Sequence, residues 1–222
     1  MGGFFPIPSP ERVRDACAEF DRKNKIVEEA LRDLFDHFPL NTNSSHVLLK
    51  AIALNRLYSA GILAVEAMAS HISRIGDETD TELANGSPTI VDKIAKVTFH
   101  GRDFTFFSFA TKYCNWHKPD FYPIYDSRVD RYIWSLQLHS RFSDLNNRSE
   151  IRKDNTRFLD VMTKFKSFYG LGSFTFKEID KFLWSQEVMD SPGRIGLEHY
   201  MDMVPDVAPE PGDELPEGRT AQ

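Results

Sequence analysis

Cysteine is almost missing from this chain: among 222 residues only Cys17 and Cys114 occur, far apart and outside any C-x-x-C spacing. That excludes a disulfide framework and a thiolate metal centre, and both residues read as small buried hydrophobes. His46, His71, His100, His117 and His139 share no ligand spacing with one another or with carboxylates, so neither a metal nor a cofactor is expected. No apolar run approaches the roughly 18 residues of a membrane span, and the N-terminus lacks the basic-then-apolar order of a secretory signal. A cytoplasmic protein with no membrane partner is the expectation. Strand-like alternation and internal repeats are missing as well, which leaves an all-α fold class.

What the chain has in excess is phenylalanine, with 18 copies, and an uneven distribution of charge. The overall net charge of −6 argues against nucleic acid as a partner until it is resolved along the chain. Residues 1–100 carry 11 basic against 14 acidic side chains, residues 101–182 carry 14 against 10, and residues 183–222 carry 2 against 9. A basic middle block therefore permits a phosphate-binding face that the total conceals. Residues 205–222 hold four Pro and five acids, a composition that predicts a disordered acidic tail. Residues 1–204 are then expected to form a single helical domain, large enough for one good core or two small lobes sharing a cleft.

Ser9-Pro10-Glu11 is a helix start, with Ser as N-cap and Pro at the first helical position, and helical periodicity runs from there toward Pro39. A second start lies in Asn43-Ser44-Ser45. Between Val47 and Ile75 the pattern predicts two helices broken around Tyr58 to Gly61. Ser87-Pro88 opens a further short helix reaching Phe99. Gly101-Arg102-Asp103 reads as a tight connection, and Phe104 to His117 as an aromatic-rich helix stopped before Pro119. Pro123 to Asp126 is extended, and Asp126-Ser127 caps a helix through about Leu138. Two more helices are expected, over 155–169 and from the Thr175-x-x-Glu178 capping box through Trp184.

The most informative stretch runs from Phe107 to Arg131, and within it Tyr122-Pro123-Ile124-Tyr125-Asp126-Ser127-Arg128-Val129 follows the aromatic-rich helix. It resembles the helix-hairpin-helix DNA glycosylase superfamily of endonuclease III, adenine-mismatch glycosylase and 8-oxoguanine glycosylase. There a helix leads into a turn of aromatic, Pro, β-branched and apolar residues, and the Asp that follows begins the next helix. The resemblance implies a two-lobed helical domain with a DNA-binding cleft, double-stranded DNA with one base flipped out as partner, a monomer, and Asp126 as the catalytic carboxylate. In that family a position about 18 residues before the Asp holds Lys in members that also nick the strand. Here Ser108 stands at that spacing, which implies a monofunctional enzyme.

Ser108, Lys112, Tyr113 and Trp116 are the implied lining of a base pocket. The segment from Val47 to Gly61 is similar to the helix and turn that fill the vacated stack, making Asn55, Arg56 and Tyr58 the candidate wedge. Arg102, Arg128 and Arg131 are candidate DNA contacts. Two departures stand out. The family's glycine-rich hairpin has no match in Phe99 to Phe104, which holds a single Gly, and two cysteines cannot form the iron–sulfur loop of some members.

Breaking a base–sugar bond develops positive charge on the deoxyribose. A fixed carboxylate beneath the sugar stabilises that cation and orients the attacking water, and a helix N-terminus favours its ionised form. The target base must leave the stack for a pocket. Ten of the 27 residues from Phe99 to Tyr125 are aromatic, material for such a pocket, although most rings of this kind are ordinary core. Three readings stay open for Lys112: a phosphate contact, a base-selecting residue, or a Schiff-base nucleophile giving lyase activity. The plain alternative for Asp126 is a helix N-cap without chemistry. For the whole chain the rivals are a non-catalytic helical nucleic-acid-binding module and a helical interaction protein in which the turn is coincidental. A damaged base, in repair, and a modified base of foreign DNA, in antiphage defence, are both compatible with the pattern.

Overall fold

The first helix, α1 (Pro10–His37), begins where the Ser9 side chain accepts a hydrogen bond from the Arg12 amide and Pro10 takes the first turn, where its missing N–H costs nothing. The computed structural model describes residues 7–58, 60–62, 64–99 and 101–186, all within the first of two units, Met1–Met189. The second unit, Asp190–Gln222, contains the expected tail over 205–222 and lies outside the described residues.

At 28 residues, α1 is about 42 Å long, and it borders both of the apolar clusters that make up the interior. Its Val13 and Ala16 pack into one, with buried side chains from Tyr125 to Leu183; its Leu31 and Phe35 pack into the other, with buried side chains from Val47 to Tyr122. Phe107 packs against both. Burying each large apolar side chain contributes roughly 1.5–3 kcal/mol.

Helix α2 (Ser44–Leu57) starts at Asn43, whose side chain accepts from the Ser45 and His46 amides. It is separated from α3 (Val65–Arg74) by the expected break after Leu57. Helix α4 (Gly76–Ala84) follows at once; nothing in the sequence pattern singled it out. Its Gly76 is required by a close approach, since a Cβ there would lie 2.6 Å from the Asn41 carbonyl oxygen.

The expected helix from Ser87 to Phe99 divides. Thr89–Ala95 is helical (α5), but Lys96–Phe99 is a strand, β1, paired antiparallel with β2 (Arg102–Thr105) so that Phe99 faces Arg102. The expectation of no strand at all is therefore corrected. Val97 and Phe99 alternate with polar residues, as Phe104 does on the partner strand, and a two-residue link containing Gly101 at φ 70° is the geometry that tight hairpins need. The aromatic-rich helix consequently starts later than Phe104, as α6 (Phe107–His117).

Helix α7 (Ser127–Ser140) is followed by a short 3-10 turn over Arg148–Arg152, then α8 (Asn155–Phe168) and α9 (Phe176–Ser185). The capping box of α9 is formed: Thr175 Oγ1 accepts from the Glu178 amide at 3.1 Å and Glu178 Oε2 accepts from the Thr175 amide at 2.7 Å. The described chain is thus mostly helical. None of its helices is long and apolar enough to cross a membrane.

One polar hub lies inside the second cluster. Lys50 is fully buried and donates to Phe38 O, Leu40 O and Asn41 Oδ1 at 2.9–3.2 Å, with His117 Nε2 at 3.1 Å. Burial pulls its pKa down to about 7 against the opposing charge of Asp80. Burial, with the nearby Lys50 charge, holds His117 well below its ordinary value, so the ring is the neutral partner.

Candidate functional site

Asp126 is delivered by an extended segment that α6 holds at two points. Asn115 Nδ2 donates to Tyr122 O at 2.6 Å, and the Tyr125 amide donates to Thr111 Oγ1 at 3.0 Å. Tyr122 Oη also donates to Ser87 O at 3.0 Å. The carboxylate is therefore set by tertiary contacts as well as by its own helix. Asp126 is the N-cap of α7, its Oδ1 accepting from the Arg128 and Val129 amides at 2.8 Å each. Among the described residues no hydrogen bond reaches its Oδ2.

Across from Asp126, α6 presents Ser108 and, one turn later, Lys112. Lys112 Nζ donates to Ser108 Oγ at 3.1 Å and to Tyr58 O at 3.2 Å, and the residue is only 4% exposed. Burial lowers its pKa, and the charges of Asp126 and Asp180 act against that shift. The ammonium of Lys112 is thus brought to the place where Ser108 stands.

A second set of groups, unforeseen from the sequence, closes on the first from α1 and α9. Tyr58 Oη donates to Glu28 Oε1 at 2.8 Å, and Lys177 Nζ donates to Tyr58 Oη at 2.8 Å and to Glu28 Oε1 at 3.4 Å. Lys177 also lies 4.0 Å above the Trp116 ring. One turn further along α9, Asp180 is 5% exposed and its Oδ1 is buried with no hydrogen-bond partner among the described residues. Burial pushes its carboxyl up to about 7; the positive charges of Lys177 and Lys112 pull against this, while Asp126 and Glu28 add to it. At the end of α9, Arg128 Nη1 donates to Trp184 O at 3.3 Å with the guanidinium 4.9 Å above the Trp184 ring. This ties the first turn of α7 to α9. Trp116 Nε1 is buried without a well-formed hydrogen bond, although it lies close enough to Tyr58 to favour the phenolate slightly against the strong upward shift from burial.

Of the residues singled out from the sequence, the structure gathers Asp126, Ser108, Lys112, Trp116, Tyr58 and Arg128 around this polar cluster. Tyr113 does not join them: it is fully buried in the second apolar cluster, and its hydroxyl donates to Asn41 Oδ1 at 2.5 Å. Asn55 brackets the turn after α2, with Nδ2 donating to Ile62 O and Oδ1 accepting from the Ile62 amide, both at 2.9 Å. Arg56 is exposed on α2 and Arg102 on β2, while Arg131 lies on α7 with a buried Nε that makes no hydrogen bond among the described residues. Glu28, Lys177 and Asp180 were missed. The signal for the last two was present, because Lys177, Asp180, Lys181 and Trp184 recur at helical spacing and so share one face of a helix otherwise buried by Phe176, Ile179, Phe182 and Leu183.

Chemically the cluster holds three carboxyl groups and two lysine amines, a set suited to stabilising a cation, moving a proton or offering an amine nucleophile. Among the described residues no group of three or more His, Cys, Asp or Glu is placed to hold a metal ion.

Residues 12–121 match the model of a family described as an N-terminal domain, HI_0787_N. An uncharacterized protein of Haemophilus influenzae (strain Rd) is 35% identical over 130 residues, which is 59% of this chain. The chain spans about 60% of the length of that curated relative. No solved structure matches. The family match covers most of α1 and all of α2 to α6, so it includes Glu28, Tyr58, Ser108, Lys112 and Trp116 and stops five residues before Asp126.

Proposed function

We propose that this protein is a DNA N-glycosylase, which extrudes one base from a duplex and hydrolyses its bond to the sugar, leaving an abasic site. Asp126 stabilises the sugar cation and helps to activate water; α6 walls the base pocket with Ser108, Lys112 and Trp116, and the two apolar clusters are the cores of two lobes with DNA held in the cleft between them. One observation carries the reading. The segment that leads to Asp126 is pinned to α6, the carboxylate accepts from the amides of α7 with no hydrogen bond to Oδ2 among the described residues, and its charge acts on buried Lys112 against the downward shift that burial gives that lysine's pKa. A carboxylate that served only to cap α7 would need neither the lysine nor the pinning. The experiment is incubation of the full chain with duplexes carrying uracil, 8-oxoguanine, 7-methylguanine or 5-hydroxymethylcytosine, and with phage DNA, followed by alkali. Strand breaks that appear only after alkali, with free base in the supernatant, support the reading; intact strands from every duplex and from phage DNA overturn it.

A second reading, glycosylase with strand-nicking activity, is favoured by one contact. Lys112 Nζ lies 3.1 Å from Ser108 Oγ and burial lowers its pKa, so an amine stands where Ser108 by itself supplies none.

A further inference from the structure

The fold places a second carboxyl beside Asp126 and leaves part of it unused. Asp180 lies on α9 one turn after Lys177, which sits on Trp116 and Tyr58, and one turn before Trp184, which sits on Arg128 at the start of α7. It is thereby held between the walls of the proposed base pocket and the helix start that bears Asp126. Its Oδ1 is buried and has no hydrogen-bond partner among the described residues. Buried polar atoms are paired with few exceptions, and an exception in a cluster of titratable groups points to a ligand or a proton.

We propose that Asp180 is the acid of the reaction, giving its carboxyl proton to the departing base while Asp126 holds the sugar cation. This rests on the glycosylase reading. The bond from the sugar carbon to the base nitrogen breaks with its electron pair going to the base, and the Asp180 proton neutralises the base as it leaves. Water then adds its oxygen to the sugar carbon, and the proton it loses returns to the Asp180 carboxylate.

The surroundings keep the proton in place. Glu28 faces Asp180 from α1, Lys112 from α6, Asp126 from the start of α7 and Lys177 from its own helix, with Tyr58 closing the ring from the end of α2. Two other charges are engaged elsewhere: Lys181 Nζ pairs with Asp21 of α1 at 2.5 Å, and Arg128 lies on Trp184. Burial prevails over the two lysines, so the carboxyl stays protonated until the pH reaches about 7. Two carboxyl groups in different environments, one keeping its proton and one bound to helix amides, is the arrangement by which acid and base roles are divided between like residues.

The test compares duplexes bearing a neutral base, uracil or 8-oxoguanine, with one bearing 7-methylguanine, whose base is already cationic and departs neutral without a proton. On whichever neutral base the wild type releases, its single-turnover rate should fall about tenfold per pH unit above about 7. Asp180→Asn should lose at least ~100-fold on that base, lose its pH dependence, and stay within about fivefold of wild type on 7-methylguanine. Asp126→Asn should lose activity on both kinds. A wild-type rate that is flat from pH 6 to pH 9, an equal loss by Asp180→Asn on cationic and neutral bases, or release of 7-methylguanine alone overturns the acid role and leaves the glycosylase reading standing. Should Asp180→Asn fail to fold, the wild-type pH profile decides. No base released from any duplex by wild type sinks the glycosylase reading and this proposal with it.

Discussion

Asp126 is at once the cap of α7 and the proposed cation-stabilising carboxylate, and two substitutions separate the roles. Asp126→Asn keeps an oxygen where Oδ1 accepts from the Arg128 and Val129 amides at 2.8 Å, and Asn caps helices about as well as Asp. What it removes is charge, and the interaction of that charge with the start of α7 is worth roughly 0.3–1 kcal/mol. In a chain of this size that lowers Tm by up to about 4 °C. Asp126→Ala removes both amide contacts as well, at about 1–2 kcal/mol. If the carboxylate stabilises a sugar cation, the Asn variant should lose ~100- to 1,000-fold in base release, the scale of one preorganised electrostatic contact, with stability nearly intact. The Ala variant should be equally inactive and measurably less stable. Single-turnover base release with protein in excess gives the first quantity and urea unfolding the second. An Asn variant that releases base within about fivefold of wild type, beside an Ala variant that is merely less stable, would reduce Asp126 to a helix cap.

Three further outcomes follow from the same geometry. Borohydride added during turnover should trap no protein–DNA adduct if water is the nucleophile; an adduct formed by wild type and lost in Lys112→Gln makes the second reading correct. Gly76→Ala should cost about 1–3 kcal/mol in urea unfolding, since its Cβ would meet Asn41 and Thr42 backbone at 2.6–2.8 Å, and a variant as stable as wild type would refute that packing. Lys50 has a folded pKa of about 7 against an ordinary 10.5, so between those values the unfolded chain binds the extra proton. Stability should therefore rise with pH from about 7 toward 10, by at most roughly 1.4 kcal/mol per unit. Lys50→Met should lose that slope, and it should be less stable at pH 7 because Phe38 O and Leu40 O lose the lysine donor and Asn41 Oδ1 is left with the Tyr113 hydroxyl.

What could be read from the sequence was what short-range chemistry decides. Ser9 before Pro10, Asn43 before Ser44, Asp126 before Ser127 and the Thr175–Glu178 box each announce a helix start, because the cap and the amides it satisfies lie within three residues. The β1–β2 hairpin was misread because its strands are four residues each, too short for alternation to stand out against the helical runs on either side. The site was half legible for a related reason. Asp126, Ser108 and Lys112 belong to one contiguous motif, whereas Lys177 meets Glu28 across 149 residues and no local pattern encodes that pairing. Tyr113 went the other way. It lies one residue after Lys112 and so about 100° around the helix, which turns it toward Lys50 and Asn41 and away from Asp126.

The energetics of the cluster separate its two halves. Charged groups brought out of water cost several kcal/mol each unless their hydrogen bonds are complete, and apolar replacements of similar volume are often as stable. Glu28, Tyr58 and Lys177 come near to completion: each is hydrogen-bonded to the others, so they act as a strut that fixes α9 against α1 and the end of α2. A strut of that kind accounts for itself by the geometry it imposes. Asp180, Asp126 and Lys112 are a different case, because Asp180 Oδ1 has no partner among the described residues and the burial of Lys112 and Asp180 moves both pKa values toward neutrality. Stability alone would favour a Leu or Met at 112 and 180, where neither charge is fully compensated. The strut therefore has something to position, and what it positions is a carboxyl and an amine near Asp126, the groups on which the proposed cleavage of a base–sugar bond would draw.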